Sequence, residues 1–127
     1  MTHADPVIEV TRQSGGLLHV RVRGTASFDS ALAYWQAIAD AVEAQPARYL
    51  LLIDELRGAS IPEADWKRLV GIVGPRLGGL RIAHVKPHGL DTVEHCVLSA
   101  MAAGLDARAF DDARMAALWL RYGSPDA

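Results

Sequence analysis

Five apolar residues in a row, Tyr49-Leu50-Leu51-Leu52-Ile53, constrain the fold of this chain more than any other feature. An unbroken apolar run of this length predicts a strand covered on both faces, near the middle of a sheet. Asp54 is predicted to end the strand, and the loop Glu55–Ala59 to follow it. Because ligands bind at the carboxyl ends of strands in open α/β sheets, this loop is the first place to look for a functional site.

Composition and charge predict one domain spanning residues 1–127, since half of the residues are hydrophobic and the length suffices to bury a core. The net charge of −2 and the lack of a long basic run argue against nucleic acid or an anionic membrane as the main partner. A single cysteine, Cys96, excludes an internal disulfide. The start MTHADPVIEV lacks a signal-peptide pattern, and no apolar run approaches the roughly 20 residues of a membrane-spanning helix, which predicts a cytoplasmic protein without an integral membrane segment.

Hydrophobic periodicity and turn residues predict five strands and four helices. The strands are Val7–Arg12, Leu17–Arg23, Tyr49–Ile53, Arg81–Lys86 and Ala107–Phe110, and the helices lie near Ser27–Ala44, Ile61–Val73, Thr92–Ala103 and Ala113–Tyr122. A glycine turn makes the first two strands an antiparallel hairpin, and each later strand–helix–strand step predicts a right-handed crossover to a parallel neighbour. The predicted architecture is therefore α/β, a five-stranded, mostly parallel sheet with an antiparallel edge strand.

Capping residues and apolar stripes predict how the helices begin and pack. The first helix is capped by Ser27 or Thr25, and the second begins at Ser60 or Ile61 with a capping box between Ser60 and Glu63. The other predicted caps are a second capping box over Asp91–Glu94 and the pair Asp111-Asp112. The residues predicted to face the core are Trp35 in the first helix, Val93, Val97 and Met101 with Cys96 and Ala100 as further candidates in the third, and Met115, Leu118, Trp119 and Tyr122 in the fourth.

The two faces of the sheet are predicted to differ. Strands added one after another place all crossover helices on one face. On the second strand, His19, Arg21 and Arg23 alternate with apolar residues, which favours a solvated strand over an anion site. The apolar run Tyr49–Ile53 would still expose side chains on the uncovered face. A second copy of the chain is the simplest cover, so we expect a weak to moderate homodimer.

The order of these elements over nearly the whole chain resembles the STAS domain of anti-sigma-factor antagonists, the SpoIIAA-like fold. The ending ARAFDDARMAALWL is similar to that of the bacterial SpoIIAA-like proteins of the STAS/SEC14 type. The resemblance implies a non-enzymatic regulatory or protein-interaction module. STAS antagonists carry a phosphorylatable serine in an Asp-Ser-Ser-Gly type motif, whereas the segment Arg57–Glu63 here has one serine, Ser60, and no such motif. The SEC14-type relatives imply the alternative, a carrier or sensor of an apolar small molecule or lipid.

Candidate site residues lie in two loops at predicted strand ends. Ser60 is either a helix cap alone or a regulated hydroxyl whose phosphate would lie near a helix N-terminus and Arg57. Lys86, at the end of the predicted fourth strand, and His88, in the loop that follows, are candidate ligand-binding residues. The candidates for regulation or partner binding are Asp54, Glu55, Arg57, Gly58, Ser60 and Glu63.

Patterns that indicate catalysis are weak in this chain. His95 adjoins Cys96, but neighbours on a helix point about 100° apart, so they do not form a catalytic dyad. Asp54 followed by Lys86-Pro87 resembles a response-regulator receiver, but the order of elements excludes that class. No enzymatic activity is predicted.

Patterns that indicate a metal site are equally weak. His84 and His88, with His19 or Asp54, match no strong metal-binding spacing, so structural or solvated roles are predicted for them. Neither a metal nor a cofactor is predicted.

Overall fold

The computed structural model describes residues 6–123, apart from the side chains of Asp91 and Thr92, so the predicted tail Ser124–Ala127 lies outside it. Five strands form one sheet in the order β1-β2-β3-β4-β5, with β1 antiparallel to β2 and every other pair parallel. They are β1 Val7–Gln13, β2 Leu17–Thr25, β3 Tyr49–Arg57, β4 Arg81–Val85 and β5 Asp106–Phe110. The predicted antiparallel edge strand and the central position of the apolar run are confirmed.

Four helices accompany the sheet: α1 Phe28–Ala44, α2 Glu63–Val73, α3 Glu94–Ala102 and α4 Ala113–Tyr122. Short 3₁₀ turns over Gly74–Arg76 and Leu90–Val93 follow α2 and precede α3. The predicted α/β class and the order of elements are therefore confirmed. Within residues 6–123, none of the helices has both the length and the apolar character needed to cross a membrane.

The larger core lies between the sheet and the three crossover helices α1, α2 and α3, as predicted. It is built around buried side chains that alternate along the strands, such as Leu50 and Leu52 on β3, with Tyr34 and Trp66 from the helices. A smaller core lies on the opposite face, where α4 covers β3, β4 and β5. Its buried members are Leu51, Ala83, Val85, Ala116, Trp119 and Leu120.

The position of α4 corrects the expectation that a second copy covers the opposite face. Leu51 on that face is only 7% exposed within a single chain, because Trp119 and Leu120 pack there. The surface that was expected to form the homodimer interface is therefore covered by α4. The homodimer stays a prediction, which sedimentation at several concentrations would test.

The charged outer face of β2 is neutralised within the chain. Arg21 forms an ion pair with Glu55 on β3, and Arg23 lies 3.6 Å from carboxylate oxygens of both Glu9 and Glu55. This pairing supports the interpretation of a solvated strand over an anion site.

The end of β3 and the start of α2 differ from prediction. Asp54 does not end the strand, because β2 extends to Thr25 and pairs with β3 as far as Arg57. The predicted Ser60–Glu63 capping box is wrong, since Pro62 is the cap residue and no side chain caps α2. Ile61 precedes a proline, which disfavours helical backbone at that position, so Ser60 and Ile61 are not expected to belong to the helix.

Most other caps and core positions agree with prediction. Ser27 caps α1 in a reciprocal pair with Ser30, and Asp112 caps α4. The start of α3 is two residues later than predicted, at Glu94, with no side-chain cap. Trp35, Val93, Cys96, Val97, Ala100 and Trp119 are buried as predicted.

Four predicted core side chains are exposed instead: Met101, Met115, Leu118 and Tyr122. In α4 the buried face is Ala116, Trp119 and Leu120, which are spaced as one helical stripe. The fully buried Ala116 has a small side chain that lets α4 lie close to the sheet.

Candidate functional site

The register between β3 and β4 brings three polar side chains together inside the larger core. Leu52 lies opposite His84 and Ile53 opposite Val85 in the parallel pair. Because side chains alternate along a strand, Asp54 on β3 and both His84 and Lys86 on or after β4 point to the α1–α3 face. The backbone N–H of Lys86 donates to the Phe110 carbonyl at 2.7 Å, which fixes this strand end against β5.

Asp54, His84 and Lys86 form a buried hydrogen-bonded network. One carboxylate oxygen of Asp54 is 2.8 Å from His84 Nε2, and the other accepts from Lys86 Nζ at 3.1 Å and from the Leu56 N–H at 3.0 Å. Lys86 also donates to the Leu56 carbonyl. The three residues are only 2%, 1% and 5% exposed, respectively. Both carboxylate oxygens are therefore committed to partners inside the protein.

The network keeps Asp54 ionised despite its burial. Burial by itself raises the pKa of the Asp54 carboxyl, but the hydrogen bond and charge of His84, the charge of Lys86 and the Leu56 N–H together lower that pKa below 3.8. A carboxylate in this position balances the buried ammonium of Lys86. The arrangement thus holds an ion pair between β3 and the end of β4.

Tyr34, Trp35 and Cys96 surround this network. The Trp35 ring meets the His84 ring edge-on, with centroids 6.1 Å apart. Burial, followed by the negative charge of Asp54, raises the pKa of both the Tyr34 hydroxyl and the Cys96 thiol. Both groups are therefore neutral, and Cys96 is the small buried hydrophobe that the sequence predicts.

A cleft of about 390 Å³ opens at the carboxyl ends of β3 and β4. Its volume lies within the range of small-molecule sites, roughly 300–1,000 Å³. Gly58, at φ 121°, turns the chain out of β3 in a conformation that residues with a side chain rarely adopt. The cleft lining combines polar residues, among them Asp54, Arg57, Ser60, Lys86 and His88, with apolar ones, among them Leu56, Ile61, Trp66 and Val93.

The cleft joins residues that the sequence assigned to separate loops. Asp54, Arg57, Gly58 and Ser60 meet Lys86 and His88 there. Glu55 also borders the cleft, but its carboxylate pairs with Arg21.

Glu63 does not line the cleft. Its carboxylate lies 3.1 Å from Lys67 Nζ, one turn along α2, and 3.8 Å from His95 Nδ1. Glu63 is therefore not part of the candidate site.

His84 is the member of the network that sequence reasoning missed as a site residue. It was assigned a structural or solvated role, and burial at 1% exposure agrees with the structural one. Its position in the sequence could have indicated this role. His84 and Lys86 are two residues apart, so an extended strand presents both on the same face.

A second, apolar cavity of about 20 Å³ lies between β4 and the helices α2 and α3. Its wall includes the His84 ring, Cys96 and Ala100. His84 Nδ1 is buried and has no hydrogen-bond partner among the described residues. The space is about that of one water molecule.

Both carboxylate oxygens of Asp54 are bonded within the network, so Asp54 presents no free base to the cleft. In the described part of the chain, no cluster of three or more His, Cys, Asp or Glu side chains could hold a metal ion.

Comparison with known proteins does not assign the chain to a family. No protein-family model matches it, and no curated protein is significantly similar to it. The STAS-type resemblance therefore stays a prediction.

Proposed function

We propose that this chain is a non-enzymatic regulatory or protein-interaction module whose partner docks at the cleft between residues 54–61 and 86–89. The observation that carries the proposal is the contrast between a fixed floor and an exposed rim. Asp54 and Lys86 are buried and bonded to each other, whereas Arg57, Ser60 and His88 on the rim are exposed. A rigid base with adaptable polar groups at its edge suits recognition of a partner.

The rim lacks the arrangement that a hydrolase requires. A nucleophile needs a base within hydrogen-bonding distance. Among the described residues, no hydrogen bond or ion pair joins Ser60 or His88 to another side chain. A cytoplasmic location belongs to the same proposal, because a chain with one buried cysteine does not depend on an oxidising compartment.

Ser60 is the proposed point of regulation. Since α2 is capped at Pro62 without a side-chain contact, the Ser60 hydroxyl is exposed and not needed to start the helix. A phosphate on Ser60 would add negative charge beside Arg57, which lines the same cleft. Such a change would alter the charge that a docking partner meets.

The test is a pull-down from the host with four forms of the chain: wild type, Ser60→Ala, Ser60→Glu and Ser14→Glu. Ser14 is an exposed serine in the β1–β2 turn, so Ser14→Glu matches the added charge at a site remote from the cleft. We expect Ser60→Glu to change recovery of a partner that Ser60→Ala and Ser14→Glu retain. Equal recovery by Ser60→Glu and Ser14→Glu would refute the regulated interaction.

A second candidate function is a carrier or sensor of an apolar small molecule or lipid, and the apolar lining of the cavity between β4, α2 and α3 is the feature that supports it. An apolar ligand would pack against the apolar wall of this cavity. With about 20 Å³ of free space, α2 and α3 would have to move away from the sheet to admit it.

Native mass spectrometry of the chain purified from its own host tests this second candidate. A bound ligand should be present in wild type and in Met101→Phe, whose side chain is exposed, and absent in Ala100→Phe, which fills the cavity wall. Ligand-free spectra for the wild type, or equal loading of both variants, would exclude this function.

A further inference from the structure

The ammonium group of Lys86 has a hydrogen-bond donor that the protein leaves unused. An ammonium carries three N–H donors. One donates to Asp54 at 3.1 Å and another to the Leu56 carbonyl, and no further partner exists among the described residues. The side chain of Lys86 is only 7% exposed, yet it lines the cleft. An acceptor for the third N–H must therefore come from the cleft.

The charge balance of the cleft favours an anion as that acceptor. The carboxylate of Asp54 is used by His84 and Lys86, and that of Glu55 pairs with Arg21 on the other side of the sheet. Arg57 has no ion-pair partner in the described part of the chain. A guanidinium and a partly used ammonium that line the same cleft are suitable groups for an oxyanion.

The rest of the lining limits what the anion can be attached to. Leu56, Ile61, Trp66 and Val93 give the cleft an apolar wall next to these donors. The total volume of about 390 Å³ suits a small molecule rather than a folded segment. Polar donors beside an apolar wall are typical of a site for an organic anion.

We propose that the cleft binds a small organic molecule through a single oxyanion group, carboxylate or phosphate. One oxygen of this group accepts the third N–H of Lys86, Arg57 pairs with the group at the rim, and His88 lies beside it. The proposal rests on the proposed function in one respect, that the ligand occupies the cleft used for docking and so regulates it.

The experiment is an NMR titration of the ¹⁵N-labelled full chain at constant ionic strength. Inorganic phosphate, acetate and phenylacetate are added separately, so that the arms distinguish phosphate from carboxylate and show the contribution of an apolar body. We expect saturable shifts of the amides at residues 57–60 and at Lys86, His88 and Gly89 for at least one oxyanion. If a carboxylate is bound, phenylacetate should bind more tightly than acetate.

Two arginine variants test whether the binding is local. Arg57→Gln should weaken binding about tenfold, as expected for the loss of one charge-assisted contact. Arg114→Gln, at an exposed position on α4, should leave it unchanged. Both arginines are exposed, so neither variant should disturb folding, whereas a substitution of the buried Lys86 could.

The outcomes also separate this inference from the proposed function. No saturable shift with any of the three anions, or equal weakening by both variants, would overturn the ligand site. A partner captured through the cleft without anion binding would leave the docking function standing. If an anion binds but Ser60→Glu and Ser14→Glu recover the partner equally, the ligand site stands and the regulated docking function is overturned.

Discussion

Replacing Asp54 with asparagine should destabilise the chain strongly, because the ammonium of Lys86 would stay buried without its counter-charge. Asp54 and Lys86 are 2% and 5% exposed, so water from the cleft can replace the lost carboxylate only in small part. The asparagine amide would also face His84 Nε2 at a position where a carboxylate oxygen now lies 2.8 Å away. His84 must then accept a hydrogen bond there, which requires the other tautomer.

The size of the effect follows from the burial of the pair. Removing one partner of a buried ion pair costs about 3–5 kcal/mol, against a total stability of about 5–15 kcal/mol for a domain of this kind. The hydrogen bond from the Leu56 N–H can survive, since asparagine keeps one carbonyl oxygen. We therefore expect Asp54→Asn to lower the free energy of unfolding by about 3–5 kcal/mol.

Urea unfolding at pH 7, followed by tryptophan fluorescence, measures this loss. Lys86→Met and the double variant Asp54→Asn/Lys86→Met complete a double-mutant cycle. Because the double variant has neither charge, it should lose less than the sum of the single variants, by about 2 kcal/mol or more. Glu55→Gln is the matched control, since it removes a carboxylate one residue away that is 32% exposed, and it should have a much smaller effect.

Two results would refute this reasoning. One is a loss below about 1 kcal/mol for Asp54→Asn, which is the size of an ordinary substitution. The other is additivity of the two single variants, which would mean that Asp54 and Lys86 do not depend on each other.

Three further predictions concern acid stability, helix capping and the packing of α4. Because the folded-state pKa of Asp54 is lowered, its stabilising contribution is present above the ordinary value of 3.8 and is lost as the pH falls through the lower folded value. Urea unfolding below pH 4 should show this acid loss in wild type and a smaller one in Asp54→Asn. Ser27→Ala should cost about 1 kcal/mol by removing the cap of α1, whereas Ser60→Ala, which caps nothing, should stay within about 0.5 kcal/mol of wild type. Trp119→Ala should lower the free energy of unfolding by about 3–5 kcal/mol, because it empties the α4 core. Leu118→Ala, one residue away and 51% exposed, should lower it far less. Circular dichroism in urea measures both.

The central strand was predictable because its signal is local. Leu50 and Leu52 are buried on one face of the sheet and Leu51 on the other, so the unbroken apolar run indicates that both faces of the strand are covered. The run does not say what provides that cover. Among the described residues no strand follows α4 to fix its side of the sheet, and for this reason the position of α4 could not be predicted.

The end of β3 was not predictable from its own residues. Asp54 is a polar residue after an apolar run, which normally marks a strand end. Here the strand continues to Arg57 because β2 supplies partners as far as Thr25, a contact between distant parts of the sequence. The start of α2 did have a local signal, since Ile61 stands directly before Pro62.

The buried network depends both on a local signal and on a contact between distant parts of the sequence. A carboxylate on the core-facing side of a central strand requires a compensating cation close by. On the neighbouring β4 and directly after it, the core-facing positions are Ile82, His84 and Lys86, so two of the three can pair with Asp54. Alternation along each strand could therefore have suggested that these residues meet, but only the register, in which Leu52 lies opposite His84, determines that they do. A shift of β4 by two residues would keep every side chain on its present face and still separate Lys86 from Asp54, which makes the buried ion pair a device that favours the observed register.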